Sequence, residues 1–452
     1  MPGSATLTSL VEPDFRWFFA GNLAFFMAMQ MQFVLRGYLA YDLTHSAASL
    51  GFIAVAITLP MLVVAPIGGV VADRVNKKTL LIITQLLAAA ASIFPAVLIV
   101  GGWIQFWHLL AVSLVTGVFF SFNMPARSAL VPLLVPRHKL MNAISLQMGG
   151  MNFTRIIAPA TAGVLIAPLG AGAVYFITAI LFSIAVLSEI RLPKHGLEAT
   201  SGGTNVVQEF ADGLRFVTHD HLIGLLVLTN LLVPFFAFPV QQMLPIFADG
   251  VFAVGAPGLG LLAAMTGVGG LVGAIVSANM DRQAAKGRLM LVGGITMGVF
   301  LTLFAVTPFF GLALCFIMAA GVGQMLFTTT NNTFIQASVP ETMRGRVNSL
   351  MLMSFGAMPL GVFPLTLIAD VLGAPATIAA SSVLLLVIVL GLFAAVKPLR
   401  NLRMEALVHA DLSRARAAVL VAEGKLTKED ADRFSGIGAQ GPASLTSPPR
   451  PT

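Results

Sequence analysis

Twelve separate stretches of this chain are long and apolar enough to cross a lipid bilayer, and no other feature constrains the fold as tightly. A hydrocarbon core about 30 Å thick takes about 20 apolar residues in a helix that rises 1.5 Å per residue. Such stretches fall near residues 15–40, 48–72, 79–100, 106–124, 140–166, 170–190, 222–246, 257–280, 288–307, 311–333, 347–370 and 374–396. Only 10% of the 452 residues are charged, against about 25% in a soluble domain, so the chain cannot wet an ordinary surface. The expectation is an all-α membrane protein with twelve transmembrane helices.

The basic residues test the count. With both termini on the inner side, 24 of the 26 Lys and Arg fall in inner segments, and no outer loop holds any. The other two, Arg36 and Arg155, fall inside spans. Arg127 is counted here with Arg137 and Lys139 in the loop after the fourth span. One missed or surplus helix would invert every later loop and destroy this positive-inside pattern. The net charge of +7 is therefore a topology signal facing anionic lipid, and nucleic acid is not expected as a partner. The first 14 residues contain Glu12 and Asp14 and no basic side chain, so no cleavable signal peptide is expected. The single cysteine, Cys315, excludes an intrachain disulfide.

The two halves of the membrane region resemble each other. Val135-Pro136 with Ser145-Leu146 returns as Val339-Pro340 with Ser349-Leu350, and Asp73-Arg74 returns as Asp281-Arg282. Such an internal repeat fits two six-helix bundles. The expected organisation is a 1–14 inner segment, bundles at 15–190 and 222–396, a 191–221 linker and a 397–452 tail. Val206, Val207, Phe210, Leu214 and Val217 recur at helical spacing in the linker, which fits an interfacial amphipathic helix or a simple tether. Gly, Ser and Pro dominate after Gly436, so disorder is expected there.

Reactive constellations are missing from the pattern. No Ser/His/Asp set, nucleotide-binding loop or metal cluster emerges, and His219 and His221 have no visible third ligand. The sequence therefore points to no enzyme, no metal and no cofactor. None of the 19 acidic residues falls near a bilayer centre: Asp42, Asp249 and Asp370 lie near outer ends, and Asp73, Glu189 and Asp281 near inner ends.

The most specific motif runs from Gly69 through Asp73, Arg74 and Asn76 to Lys77 and Lys78, between the second and third spans. Here the chain resembles the major facilitator superfamily, whose signature reads Gly, three residues, Asp, Arg, any residue, Gly and two basic residues. Asn76 stands in place of the second glycine, and Asn tolerates a left-handed turn. Gly69 permits close helix approach, Asp73 can accept bonds from a neighbouring helix end, and the basic residues stay at the lipid surface. The resemblance implies a gating latch at this loop. Pro125-Ala126-Arg127, Asn142-Ala143, Arg155 through Gly163, Leu244 through Ala248 and Arg344-Gly345-Arg346-Val347 are similar to the branch holding enterobactin-exporter-like siderophore and multidrug efflux proteins. Pro159 and Gly163 look like that family's fifth-helix antiporter motif, with a bend expected at Pro159. Asn123 stands where the branch often has an acid.

Export of a small amphipathic solute (siderophore, drug or metabolite) by alternating access in the bacterial cytoplasmic membrane is what the resemblance implies, with protons as the coupling ion. The sequence shows no mid-membrane acid to carry them and leaves substrate-charge-driven movement and facilitated diffusion open. The resemblance implies a small-molecule substrate and protons as partners; membrane lipid follows from the basic residues, and a monomer is expected because each six-helix half can pack on the other. A charge inside a span costs about 2.5–3.5 kcal/mol on insertion scales, so Arg155 should face a cavity or partner. Asn152 and Arg155 share one helical face. Arg36 can bind substrate, snorkel outward, or pair with Asp42 or Asp249. Gln32, Gln241 and Asn332 complete the candidate polar cavity, each open to a reading as helix–helix glue. Uptake of an organic anion and a transport-dead membrane sensor stay open as alternatives.

Overall fold

The computed structural model describes residues 8–193, 221–280, 286–339 and 356–396, together with 215, 217–219, 343, 347 and 351. The expected tail, most of the linker helix and the 281–285 loop lie outside the described residues. Among the described residues there are helices and turns and no strand, as hydrocarbon demands of a chain that must satisfy its own backbone.

The first half contains α1 (Pro13–Thr44), α2 (Ala47–Arg74), α3 (Lys77–Val100) and α4 (Phe106–Leu134). One continuous helical stretch, Leu140–Ile190, follows, with 51 residues, more than twice what one crossing needs. It divides at Gly170, where φ is 78° and ψ 159°, a conformation open to glycine and costly for other residues. That gives α5 (140–169) and α6 (171–190). The second half contains α7 (Ile223–Val251), α8 (Gly255–Asn279), α9 (Lys286–Val306), α10 (Phe310–Ser338), α11 (Met358–Leu372) and α12 (Ala374–Ala395). Two π-helical segments, Val233–Ala237 and Phe247–Val251, interrupt α7. Dividing Leu140–Ile190 at Gly170 gives eleven helices long and apolar enough for a crossing among the described residues. The region of the remaining expected one holds the shorter apolar helix α11, of 15 residues.

The outer surface is what a bilayer solvates. Val63, Leu187 and Val371 are 64%, 61% and 82% exposed, and no water-soluble protein displays such a continuous apolar coat. Trp103 and Trp107 stand exposed by the α3–α4 turn, while Trp17, at the other end of the bundle, stacks under Arg191 with 4.0 Å from guanidinium carbon to ring centroid. Tryptophans at both ends match the two membrane interfaces.

Charge distinguishes the two ends. Arg74, Lys77, Lys78, Arg137, Lys139 and Arg191 gather at one, the basic end; Asp42, Asp249 and Asp370 lie at the other, the acidic end. The amino-terminal turn, Thr8–Val11, is tied to the basic end through Glu12 and Lys139 at 2.7 Å and Ser9 N–H donating to Asn142 Oδ1.

The halves meet along two seams, α2 against α11 and α5 against α8. Both seams rest on small residues. A Cβ on Gly163 would lie 2.5 Å from the Ala256 carbonyl oxygen and 2.7 Å from Gly260 Cα, so only glycine fits. On the other seam a Cβ on Gly51 would strike Thr366, and Phe52 packs edge-on against Phe363 at 5.1 Å.

Candidate functional site

The α5–α8 seam carries Arg155. A Cβ on Gly267 of α8 would lie 3.2 Å from the Arg155 carbonyl oxygen, which fixes this turn of α5 at the junction of the halves. The Arg155 side chain is partly exposed and has no hydrogen-bond or ion-pair partner among the described residues. Asn152, on the same face, is also partly exposed. Pro159 and Gly163 do bring α5 onto α8: a Cβ on Gly260 would lie 2.5 Å from the Pro159 carbonyl oxygen. This Pro-Gly face of α5 is thus in close contact with α8.

Arg36 neither snorkels nor pairs with an aspartate. It is 5% exposed, eight residues or about 12 Å before the end of α1. Its Nη2 donates to Gln32 Oε1 and to Thr116 Oγ1 at 2.9 Å, and Gln32 Nε2 donates to Ser92 and Thr178. Gln32 and Arg36 thus belong to a network joining α1, α3, α4 and α6, in which Arg36 Nε is left without a partner.

A second network lies nearer the basic end and corrects the reading of Arg127. The helix does not stop near residue 124 but runs to Leu134, and Arg127 is 1% exposed inside it. Arg127 Nε donates to Asn123 Oδ1 at 3.1 Å and Nη1 to Asn22 Oδ1, while its guanidinium carbon stands 4.0 Å from the Phe25 ring centroid. Arg127 Nη2 lies 3.4 Å from Glu189 Oε1, and Glu189 is fully buried. Gln85 Nε2 donates to the same Glu189 oxygen at 2.7 Å, and Asn123 Nδ2 donates to Thr84 Oγ1 at 2.8 Å. Asn123, read as a vacant acidic position, is here a bridge between α3 and Arg127. A narrow crevice lined by Gln32, Thr116, Thr84, Asn123, Phe25, Phe120 and Phe182 separates the two networks and has room for about one water.

The second half offers another narrow crevice, with Gln241 of α7, Thr266 of α8 and Gln324 of α10 among its walls. Gln241 Nε2 and Asn332 Oδ1 are buried without partners. Asn331, beside Asn332, accepts from Thr229 Oγ1 and donates to the Leu226 carbonyl, fixing α10 to α7. Neither crevice approaches the roughly 300–1,000 Å³ that a drug-sized ligand fills. Arg155 and Asn152 line neither crevice and stand on the α5 side of the junction between the halves.

The loop after α2 departs from its sequence reading in three places. Asn76 has φ −59° and ψ 115°, not a left-handed turn; it caps α3, its Oδ1 accepting from Thr79 N–H at 3.3 Å. Close approach occurs one residue before Gly69: a Cβ on Gly68 would strike the Ser121 carbonyl, whereas one on Gly69 meets nothing within 4 Å among the described residues. Lys78 does not stay free at the surface; its Nζ donates to the carbonyls of Ile190 and Leu192 and closes the end of α6. Arg74 is exposed and Lys77 partly so. The Asp73 side chain lies outside the described ones.

At the acidic end a carboxylate closes the α2–α11 seam. Asp370 of α11 accepts from Ala47 N–H at 2.5 Å, Ala48 N–H at 3.1 Å and Ser46 Oγ at 2.7 Å. One half of the molecule thus supplies the cap for the first turn of a helix in the other, where the exposed N–H groups and helix dipole favour an anion.

The profile of the transmembrane secretion effector family matches residues 4–437. The multidrug efflux pump Tap of Mycolicibacterium fortuitum is 31% identical over 356 residues, covering 76% of this chain and 86% of Tap. The enterobactin exporter EntS of Shigella boydii serotype 18 is 28% identical over 313 residues, covering 68% of this chain and 73% of EntS. Among solved structures, the nucleoside transporter NupG superposes with a TM-score of 0.70 at 14% identity, over 84% of this chain and 98% of NupG.

Proposed function

The chain belongs to the transmembrane secretion effector family of major facilitator transporters, and on that premise we propose that it exports a small amphipathic solute in exchange for protons. It is a multi-pass membrane transporter and not an enzyme. The observation that carries the solute reading is Arg155: a cation within a membrane-crossing helix, partnerless among the described residues, at the seam between the halves. Such a charge is costly to keep in a bilayer and is retained where a solute or a polar cavity meets it. Arg155 and Asn152, with the unpaired amides of Gln241 and Asn332, suit an oxygen-rich amphipathic molecule such as a siderophore or a macrolide.

The positive-inside rule sets the basic end, and both termini, on the cytoplasmic side. The Asp370 cap then lies on the outer side and holds that side shut in this conformation. Opening it while the loop of Gly69, Asp73 and Arg74 closes the inner side constitutes alternating access. Export is supported by the family match and by the efflux pump and siderophore exporter among the relatives.

The test is transport in proteoliposomes and in cells. Counterflow of erythromycin or a catecholate siderophore is expected with the wild type, reduced about tenfold in Arg155→Gln and largely kept in Arg155→Lys, a loss within the range of ordinary buried polar contacts. Cells over-expressing the protein should retain less solute; higher accumulation would overturn export and favour uptake of an organic anion.

A further inference from the structure

We propose that Glu189 is the carboxyl group that takes up and releases the coupling proton; this rests on the reading of the protein as a proton-driven exporter. The geometry around its second oxygen is the starting point. Gln85 Nε2 donates to Glu189 Oε1 at 2.7 Å. Glu189 Oε2 and Gln85 Oε1 are both buried, and neither has a partner. Both are acceptors when the glutamate is a carboxylate, so neither can satisfy the other. Buried polar atoms without partners are rare in folded proteins and call for an explanation. A single proton supplies one. Bound at Oε2, it turns that oxygen into a donor for Gln85 Oε1, and the acid and the amide then hold each other by two reciprocal hydrogen bonds. The step is balanced as carboxylate plus proton giving carboxylic acid, with one O–H bond formed and no other bond changed.

Arg127 is arranged so that Glu189 is free to change charge. A buried arginine whose only counter-charge disappears would be strongly destabilised. This one has other support: Asn123 accepts from Nε, Asn22 accepts from Nη1, and the rings of Phe25, Phe18 and Phe26 stand 4.0, 5.9 and 5.9 Å from its guanidinium carbon. Cation–π contacts of this kind are strongest where water is excluded. Its approach to Glu189 is the looser contact, at 3.4 Å, and Nη2 makes no hydrogen bond. The groups facing Glu189 are Gln85 from α3, Arg127 from α4 and the turn around Gly21 and Asn22 from α1. Two further charges stand by the end of α6: Lys78, engaged by the carbonyls of Ile190 and Leu192, and Arg191, stacked on Trp17.

Access and coupling are also built in. The crevice between the two polar networks reaches the Glu189 cluster through Thr84 and Asn123 and the Arg36 cluster through Gln32 and Thr116. A water held there would have the two to four polar partners it needs. Helix α1 touches both the carboxyl and the opposite half. A Cβ on Gly21 would lie 3.7 Å from Glu189 Cγ, and one on Gly37 would lie 3.3 Å from Pro245 of α7. Gly21 and Gly37 are sixteen residues, about 24 Å, apart on that helix, so one element runs from the proton site to the opposite half.

Glu189 is here a coupling residue, not a solute contact, and the first test needs no solute. Purified wild type is titrated with acid and followed by infrared absorption of protonated carboxyl groups, alongside Glu189→Gln and Glu189→Asp. A band present in the wild type, missing in Glu189→Gln and restored in Glu189→Asp is expected; identical titrations of wild type and Glu189→Gln would overturn the proposal. The second test uses erythromycin in proteoliposomes. Glu189→Gln should keep exchange near the wild-type rate while pH-gradient-driven accumulation falls about tenfold, as for an ordinary coupling between two sites. Retained gradient drive in that variant overturns the proposal, as does wild-type exchange indifferent to the gradient. Should Glu189→Gln lose both activities, Gln85→Leu decides: a displaced pH profile supports the seat and an unmoved one refutes it. If the wild type moves no erythromycin, the export reading fails for that solute and the infrared titration alone decides the proton site.

Discussion

Helices α1–α6 and α7–α12 follow one plan of crossings, yet their interiors are held by different chemistry. The first half buries Arg36, Arg127 and Glu189, each at most 5% exposed, and links them through Gln32, Gln85, Asn22 and Asn123. Among the described residues the second half buries no charge; hydroxyls and amides such as Thr229, Asn331 and Thr366 do the equivalent joining. Amides and hydroxyls suffice to join helices in a bilayer, so charge is not needed for cohesion. Ionic groups confined to one half point instead to work that amides cannot do, which is to change charge state. On the proposed mechanism the first half carries the proton, and the second packs against it as a neutral counterpart.

The widest separation between the halves should appear when one anchor is removed from each. Arg127→Leu removes the counter-charge of Glu189, and breaking such a pair costs about 3–5 kcal/mol at a pH where Glu189 is ionised. Asn331→Leu removes amide bonds worth about 0.6 and at most about 1.7 kcal/mol in a membrane interior. Thermal unfolding in detergent should therefore show a large loss for the first and a small one for the second. Arg127→Leu combined with Glu189→Leu should recover much of the loss, because no lone charge remains. Equal losses for the two single variants would break the contrast.

Much of this architecture is legible in the sequence, because twelve apolar stretches and the placement of basic residues both report on the bilayer, a solvent of known thickness. What stays hidden is the inner wiring of the first half. Arg127 reads as a loop residue because it stands with Arg137 and Lys139 after an apolar run. A signal against that reading is present: Asn123, Ala126, Leu130, Val131 and Leu134 continue the helical spacing through it, and it lies one turn from Asn123 on the buried face. Glu189 reads as an end-of-helix acid for the same reason, since depth in the chain gives distance from the membrane surface but not burial within the bundle. Gln32 and Arg36 were legible as polar positions in a span, whereas their partners Ser92, Thr116 and Thr178 come from three other helices and no spacing rule links them. Arg155 is the reverse case, a lone cation that the structure leaves lone among the described residues.

The cap that crosses between the halves offers a smaller but more direct probe. Asp370→Ala removes three bonds to the first turn of α2, and loss of a cap costs about 1 kcal/mol, which is roughly a fivefold change in a two-state ratio. If this contact holds the acidic end shut, the variant should react faster with a membrane-impermeant thiol reagent at a single cysteine introduced at Thr366, in a Cys315→Ser background. Asp370→Glu, which keeps the charge but lengthens the side chain, should fall between the two. Unchanged labelling would make the cap an ornament of α2 alone and leave the seam to Gly51, Phe52 and Phe363.

The smallest expected effect comes from a loop whose Asp-Arg pair recurs in both halves. Asp73-Arg74-Val75-Asn76 in the first half corresponds to Asp281-Arg282-Gln283-Ala284 in the second, so the fourth position changes from a capping residue to one that cannot cap. If Asn76 is there for a left-handed turn, glycine should be better than asparagine and alanine worse. If it is there as the cap of α3, as its φ of −59° and its bond from Thr79 N–H indicate, a different order follows. Glycine should then cost only a few tenths of a kcal/mol, and alanine about 1 kcal/mol. Thermal unfolding of Asn76→Gly and Asn76→Ala distinguishes the cases by sign, since only the turn explanation makes Asn76→Gly stabilising. A stabilised glycine variant would return this loop to the family pattern; a mild loss for glycine and a larger one for alanine would make Asn76 a substitution in which side-chain capping has replaced backbone freedom.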